Sequence, residues 1–408
     1  MFASLAQGES VIENLLLGHD CMATLGVMRA LGVHIAYEHG QWRVHGRGRD
    51  GFIEPSCILD CKNSGTTIRL LAGLLSAMPF MSVLDGTDQI KMRPMGRVIE
   101  PLLAMGANIH GRKHNSLAPL VVLPGALKDF DHVLRVPSAQ VKSALLLAGL
   151  LGRGVTVRSG GATRDHTERL LSYMGAYVQT HENYVRIEPL KSELKPVSLS
   201  IPGDMSSAAF LLVAGVLLAK DNIVLKNVGI NRTRTGIVDA LKMMGASIEL
   251  INPSVVGNEP VADISIAKSS LKGSEFGGEH IVRMIDEIPI LALAATQAHG
   301  KTIIRDAQEL KVKESNRIAR TVQSLKALGA DIEETDDGMI ITGKRELHGA
   351  TVSSFGDHRI ALFMSIAGLL CTSPLTITNA EVIDDSFPGF LATLDELGAR
   401  VEEDGCES

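Results

Sequence analysis

A chain of 408 residues has ample material for two cored domains. Its formal net charge of −6, and the lack of any basic run interleaved with aromatics, argue against a general nucleic-acid binder. The longest apolar runs, 208–219 and 360–371, are 12 residues each, well short of the roughly 20 that span a bilayer, so they are expected to be core helices.

In chain order, residues 1–7 suggest a helix of about two turns closed by Gly8. A single phrase then returns six times: an apolar residue, a Gly, a small residue and usually a β-former. It reads Leu31-Gly32-Val33, Met105-Gly106-Ala107, Met174-Gly175-Ala176, Met244-Gly245-Ala246, Leu328-Gly329-Ala330 and Leu397-Gly398-Ala399. The glycines are 69 to 84 residues apart. A Gly directly after a Leu/Met-rich amphipathic stretch ends a helix, because it reaches the left-handed region without a Cβ clash. The residues after each Gly alternate like strands, as in Ala330-Asp331-Ile332-Glu333-Glu334 and then Met339-Ile340-Ile341-Thr342. Six copies of one helix-then-strands unit are therefore predicted.

The copies pair into halves, since 15–32 overlays 228–245 at a constant offset of 213. This predicts a first domain over 1–200 and a second over 201–408, the break falling near Lys195-Pro196, before a strand at 197–201. Extended backwards, the offset lays Met1 on Ala214, and residues 202–213 have no counterpart. The chain is expected to start late in its first unit, the plainer alternative being a domain that does without its first half-helix.

Several motif matches carry nothing. Gly46-Arg47-Gly48-Arg49-Asp50-Gly51 fits GxGxxG, but Phe52-Ile53-Glu54-Pro55 comes next, so a loop leaving a hairpin is expected there. Cys21, Cys57, Cys61, Cys371 and Cys406 are odd in number and lack a CxxC spacing, as reduced thiols in a cytoplasm would be. Cys57 and Cys61 have no partners at metal-ligand spacing, so no metal is expected.

Polar clusters stand where the first helix of five units should begin: Asn63-Ser64-Gly65-Thr66-Thr67-Ile68-Arg69, Ser138-Ala139-Gln140-Val141-Lys142, Asp204-Met205-Ser206-Ser207, Asp286-Glu287 and Asp357-His358-Arg359. Capping accounts for any one of them. Five at equivalent places also suit anion binding at free helix N–H groups. The second helix of several units is expected to open with cations, at Lys91-Met92-Arg93-Pro94, Thr163-Arg164-Asp165-His166, Thr233-Arg234-Thr235 and Lys313-Glu314-Ser315-Asn316-Arg317. Cations there oppose the helix dipole, which a bound polyanion would explain and simple surface solvation would also allow.

These phrases, with Arg93-Pro94-Met95, Arg164-Asp165-His166-Thr167-Glu168 and Ser386-Phe387-Pro388, resemble the 5-enolpyruvylshikimate-3-phosphate synthase family from Met1 to about Arg400. The resemblance implies an α/β (α+β) fold of two similar domains, each of three βαβαββ repeats, closing on substrates held in the cleft between them. It implies a cytoplasmic transferase of the shikimate pathway, a target family of glyphosate, working toward chorismate and the aromatic amino acids. The enolpyruvyl group of phosphoenolpyruvate would pass to the 5-hydroxyl of shikimate 3-phosphate, with no cofactor and no metal. The partners would be these two small molecules, acting on a monomer that contacts neither nucleic acid nor membrane.

The resemblance also distributes roles. Ser138, Ala139, Gln140 and Arg164 would hold the 3-phosphate, and Asp286 and Lys313 the ring hydroxyls. Gly65, Arg93, Gln140, Arg317 and Arg359 would hold phosphoenolpyruvate. Asp286 would be the base and Glu314 the acid, with Asn63, Thr66, Arg69, Asp357 and His358 in support. The family's Gly-Asp-Lys-Ser segment would precede Met1, Lys62 stands where a Gly is usual, and Asp385-Ser386-Phe387 lacks a Lys found in some members. Two other readings are a non-catalytic anion-binding form and a sugar-nucleotide enolpyruvyl transferase. The latter typically uses a loop Cys, and no Cys lies between Cys61 and Cys371.

Overall fold

The computed structural model describes residues 1–161 and 163–402; Cys406 lies outside them. Each of the six repeated glycines follows a helix and has positive φ, between 85° and 101°. Each also sits in the same double hydrogen bond. In the first, Gly32 N–H donates to Arg29 O at 2.9 Å and Val33 N–H to Met28 O at 3.0 Å; in the last, Gly398 donates to Asp395 O at 2.8 Å and Ala399 to Leu394 O at 3.0 Å. This is the Schellman closure, which satisfies two of the carbonyls a helix leaves open.

Six sheets are present among the described residues. The second shows the plan: Leu59–Asp60 pairs parallel with Ser82–Asp85, which pairs antiparallel with Leu117–Leu123, and Asn108–Gly111 closes the other edge. The third repeats that order with Phe130–Leu134, Val155–Ser159, Tyr184–Ile187 and Val178–Thr180. The fifth does so with Glu275–Phe276, Gly300–Ile304, Met339–Gly343 and Asp331–Glu334. A parallel pair needs a helical crossover, which is why each plan is βαβ followed by a hairpin. The fold is thus the double three-repeat α/β arrangement.

The chain falls into two compact units, Met1–Pro202 with Ser254–Val261, and Gly203–Pro253 with Ala262–Ser408. The break follows Pro202 rather than lying near Pro196. The reason is pairing: Ser198–Ser200 runs parallel to Gln7–Glu13 with Val11 opposite Ser198, so this late strand completes the first sheet. The opening helix is also shorter than expected. It is the single turn Phe2–Leu5, and Gly8, with φ 117°, lies inside the strand that starts at Gln7. Gly46, opposite Gly8 in that sheet, leaves no room for a Cβ, which would fall 2.4 Å from Ala3 O.

Each unit has its own core, built on the first helices of its repeats. In the first unit, Gly65–Leu75 crosses Ala139–Leu151 so closely that a Cβ on Gly73 would meet Ala144 O at 2.0 Å. In the second, Met205–Leu218, Ile288–Thr296 and His358–Gly368 pack on one another. These helices are apolar nearly all round because they are covered nearly all round. Among the described residues no helix is long and apolar enough to cross a membrane.

Candidate active site

All five polar clusters lie at helix starts. Ser64 caps Gly65–Leu75 by accepting from Thr67 N–H at 3.2 Å, Ser138 caps Ala139–Leu151, and Asp357 caps His358–Gly368 by accepting from Arg359 N–H at 3.0 Å. Asp204 and Glu287 precede their helices without capping them. Their carboxylates are engaged elsewhere: Arg234 Nη2 donates to Asp204 Oδ1 at 2.6 Å, and Ser206 Oγ donates to Glu287.

The cations differ from expectation in one respect. Only Arg317 occupies the first turn of a helix, Arg317–Ala327. Lys91 lies in the last turn of Asp88–Met92, where it complements the dipole, and Arg93 follows as C-cap. Arg164 and Arg234 lie in the approaches to His166–Tyr173 and Gly236–Met243, and Lys313 follows the short turn Gln308–Val312.

In the first unit, Gly65, Arg69, Arg93, Thr66 and Gln140 come together. Buried Arg69 donates from Nη1 to Gln140 Oε1 at 2.8 Å and from Nη2 to Pro94 O at 3.2 Å. Gln140 Nε2 donates to Thr66 Oγ1 at 3.0 Å. A Cβ on Gly65 would fall 2.8 Å from Arg69 Nη1 and 2.9 Å from Arg93 Nη1, so the absent side chain is what admits two guanidinium groups to one helix start. Asn63 stands behind this loop, donating to Gln89 Oε1 at 2.6 Å and accepting from Thr87 at 3.3 Å. Lys62 has φ 50°, the left-handed backbone that favours glycine, and its Nζ is 2.6 Å from Asp60 Oδ2.

The second unit holds an Arg-centred cluster. Arg317 is 1 % exposed, and its fork reaches three carboxylates. Nε donates to Asp357 Oδ2 at 2.9 Å, Nη1 to Asp286 Oδ1 at 3.1 Å, and Nη2 to Glu314 Oε2 at 2.6 Å. Lys313 Nζ approaches the same Asp286 oxygen at 3.3 Å. Burial pushes the Asp357 carboxyl up, but the charge and hydrogen bonds of Arg317 outweigh it and hold it below its ordinary range. Burial lowers the pKa of Arg317, and the three carboxylates more than reverse this. His358 is pushed down to about 4, by burial first and then by Arg359 and Arg317. Arg359 Nη1 lies 3.6 Å from buried Glu287.

One pair escaped the sequence reading. Lys142 and Glu168, 4 % and 2 % exposed, form an ion pair, and Ser143 Oγ is 2.7 Å from Thr167 Oγ1. A lone Lys inside the apolar run that starts at Val141 was the available signal. Asp165, His166 and Glu259 bring one ligand atom each within 4.8 Å of one another. They already serve as partners, His166 Nδ1 to Glu259 at 2.7 Å and Arg169 Nε to Asp165 at 2.8 Å, so the grouping by itself gives no reason to assign an ion.

Helix starts that gather cations and carboxylates, on two units of three repeats, define an enolpyruvyl-transferase type of fold. It is similar to that of NikO, an enolpyruvyl transferase from Streptomyces tendae, with a TM-score of 0.79 at 20% identity over 98% of this chain and 91% of that one. EPSP synthase from Acinetobacter baumannii is nearer, with a TM-score of 0.87 and 39% identity over 97% of this chain and 91% of that one. A 3-phosphoshikimate 1-carboxyvinyltransferase from Bacillus cereus (strain G9842) is 49% identical over 400 residues, 97% of this chain and 92% of the relative. The family model for EPSP synthase (3-phosphoshikimate 1-carboxyvinyltransferase) matches residues 1–394, and the chain belongs to that family.

Proposed function

We propose that this chain transfers the carboxyvinyl group of phosphoenolpyruvate to the 5-hydroxyl of shikimate 3-phosphate and releases phosphate, acting as a cytoplasmic monomer. The observation that carries the reading is the Arg317 fork, which holds Asp286 and Glu314 in one cluster beside Lys313. An acid and a base for one addition need fixed positions more than they need mobility.

In this reading Ser138, Ala139, Gln140 and Arg164 bind the 3-phosphate, and Gly65, Arg93, Gln140, Arg317 and Arg359 bind phosphoenolpyruvate. The guanidinium forks match its carboxylate and phosphate. Asp286 and Lys313 engage the hydroxyls of the ring. Arg317, whose fork also holds Asp286 and Glu314, completes the phosphoenolpyruvate site. Glu314, a carboxylate in the cluster as it stands, takes up a proton and gives it to the methylene carbon of phosphoenolpyruvate. The 5-hydroxyl oxygen bonds to the neighbouring carbon as Asp286 takes the hydroxyl proton. Cleavage of the carbon–oxygen bond to phosphate, with loss of one methyl proton to Glu314, restores the double bond, and the proton held by Asp286 leaves with the phosphate. Fixed cations stabilise the charge on departing phosphate.

Phosphate release from phosphoenolpyruvate, with and without shikimate 3-phosphate, tests it. Release that requires both compounds is expected. No release with both present, or release indifferent to shikimate 3-phosphate, overturns it.

A further inference from the structure

The Lys142–Glu168 pair is an unusual thing to bury. Removing two charges from water costs several kcal/mol per ion, and a matched apolar pair usually fills such a space with equal or better stability. The helix beyond the pair is apolar, with Ala144 through Ala148 buried, and the neighbouring buried hydroxyls of Ser143 and Thr167 satisfy each other, so the pair serves no other polar group named here. Burial pushes the Glu168 carboxyl above its ordinary range, against the pull of Lys142, so the site holds this charge at a cost.

What the pair does is geometric. Lys142 stands in the first turns of Ala139–Leu151, directly behind Ser138, Ala139 and Gln140. Glu168 stands in the first turn of His166–Tyr173, directly behind Arg164. The hydroxyl bond between Ser143 and Thr167, at 2.7 Å, ties the same two turns a residue away. Two adjacent polar links therefore join the helix starts whose preceding residues would grip the 3-phosphate. Apolar contacts slide at little cost, whereas a buried ion pair has a single register.

We propose that Lys142 and Glu168 are positioning residues for the 3-phosphate, setting the spacing between the Ser138–Gln140 turn and Arg164. This rests on the function proposed above. The test is steady-state kinetics of Glu168→Gln and of the double variant Lys142→Met with Glu168→Gln, each against its urea midpoint. The double variant removes both charges and keeps the proposal open to test should the single one fold poorly. The expected result is a KM for shikimate 3-phosphate raised at least fivefold, with the KM for phosphoenolpyruvate within twofold and the double variant as stable as the parent. Glu168→Asp, which keeps the charge, should recover part of the loss. An unchanged KM for shikimate 3-phosphate, or equal rises for both substrates, overturns the proposal. Ser138→Ala and Arg164→Ala run alongside separate the two failures. If they raise that KM and the pair variants do not, only the positioning role falls; if none does, the assignment of the phosphate site falls with it.

Discussion

Arg317 and Asp357 form a two-point ion pair shielded from solvent at both ends: Nε to Oδ2 at 2.9 Å and Nη2 to Oδ1 at 3.2 Å, with the residues 1 % and 0 % exposed. Ser315 Oγ adds a third contact to Asp357 at 2.9 Å. The pair anchors the fork that also reaches Asp286 and Glu314, so the placement of both carboxylates depends on a residue buried beneath them.

Replacing Arg317 with Lys keeps the charge and loses the fork. A single ammonium does not hold three carboxylates on separate donors, and Asp357 loses its two-point partner in a buried setting. Breaking such a pair costs about 3–5 kcal/mol. Because Lys keeps one ammonium for these carboxylates, urea unfolding of Arg317→Lys should show a loss smaller than that of a fully broken pair, with kcat down by roughly a hundredfold. A variant of normal stability and rate would mean that the fork has no such role.

Asp286→Asn changes one oxygen to an amide and leaves the shape. Shikimate 3-phosphate binding, followed by calorimetry, is expected to stay within a few-fold, while turnover drops by about 10² to 10⁴, the usual contribution of a positioned base. A near-normal rate would exclude Asp286 as the base.

Lys62→Gly tests the left-handed turn before the Gly65 loop. A residue with a Cβ costs roughly 1–2 kcal/mol in that region. Against this stand the greater unfolded freedom of Gly and the loss of the exposed Lys62–Asp60 contact, worth at most about 1 kcal/mol. The two sides nearly cancel, so the thermal midpoint should move by only a degree or two, and activity should stay unchanged. A fall in kcat above tenfold would reveal that the Lys62 ammonium serves the substrates despite its contact with Asp60.

His358 makes the fold acid-sensitive. Its folded pKa, about 4, lies below the ordinary 6.5. Between those values the unfolded chain binds a proton that the folded chain refuses. The contribution is therefore complete above pH 6.5 and is lost as pH falls toward 4, by at most about 3 kcal/mol. Asp357, held low by Arg317, adds a loss in the same direction at still lower pH. Unfolding free energies of the parent and His358→Gln from pH 7 to 4 should converge as pH falls, and parallel curves would remove His358 as the cause.

The repeat plan was legible because it depends on local chemistry. A left-handed residue after an amphipathic helix calls for Gly wherever it occurs, so six Leu/Met-Gly phrases marked six closures. Polar clusters at 63–69, 138–142 and 357–359 marked helix starts for the same reason, since a cap is made by residues a few positions apart. The pairing of Ser198–Ser200 with Gln7–Glu13 could not be read this way, because the strands are far apart in the chain and nothing in either names the other. Gly65 stands out in the sequence by its phrase alone, but the physical reason for it, two guanidinium groups where a Cβ would stand, comes from residues four and 28 positions away.

The sequence by itself determined the number of units, the ends of their helices and which residues were candidates for the chemistry, all properties of short stretches. Tertiary structure alone decided who partners whom: that Arg317 is shared by Asp286, Glu314 and Asp357, and that Lys142 lies against Glu168. A charge in a sequence is only a charge. Its partner, and hence whether it binds substrate or holds another side chain, is set by burial, which forces each buried ion to find its opposite within hydrogen-bonding reach.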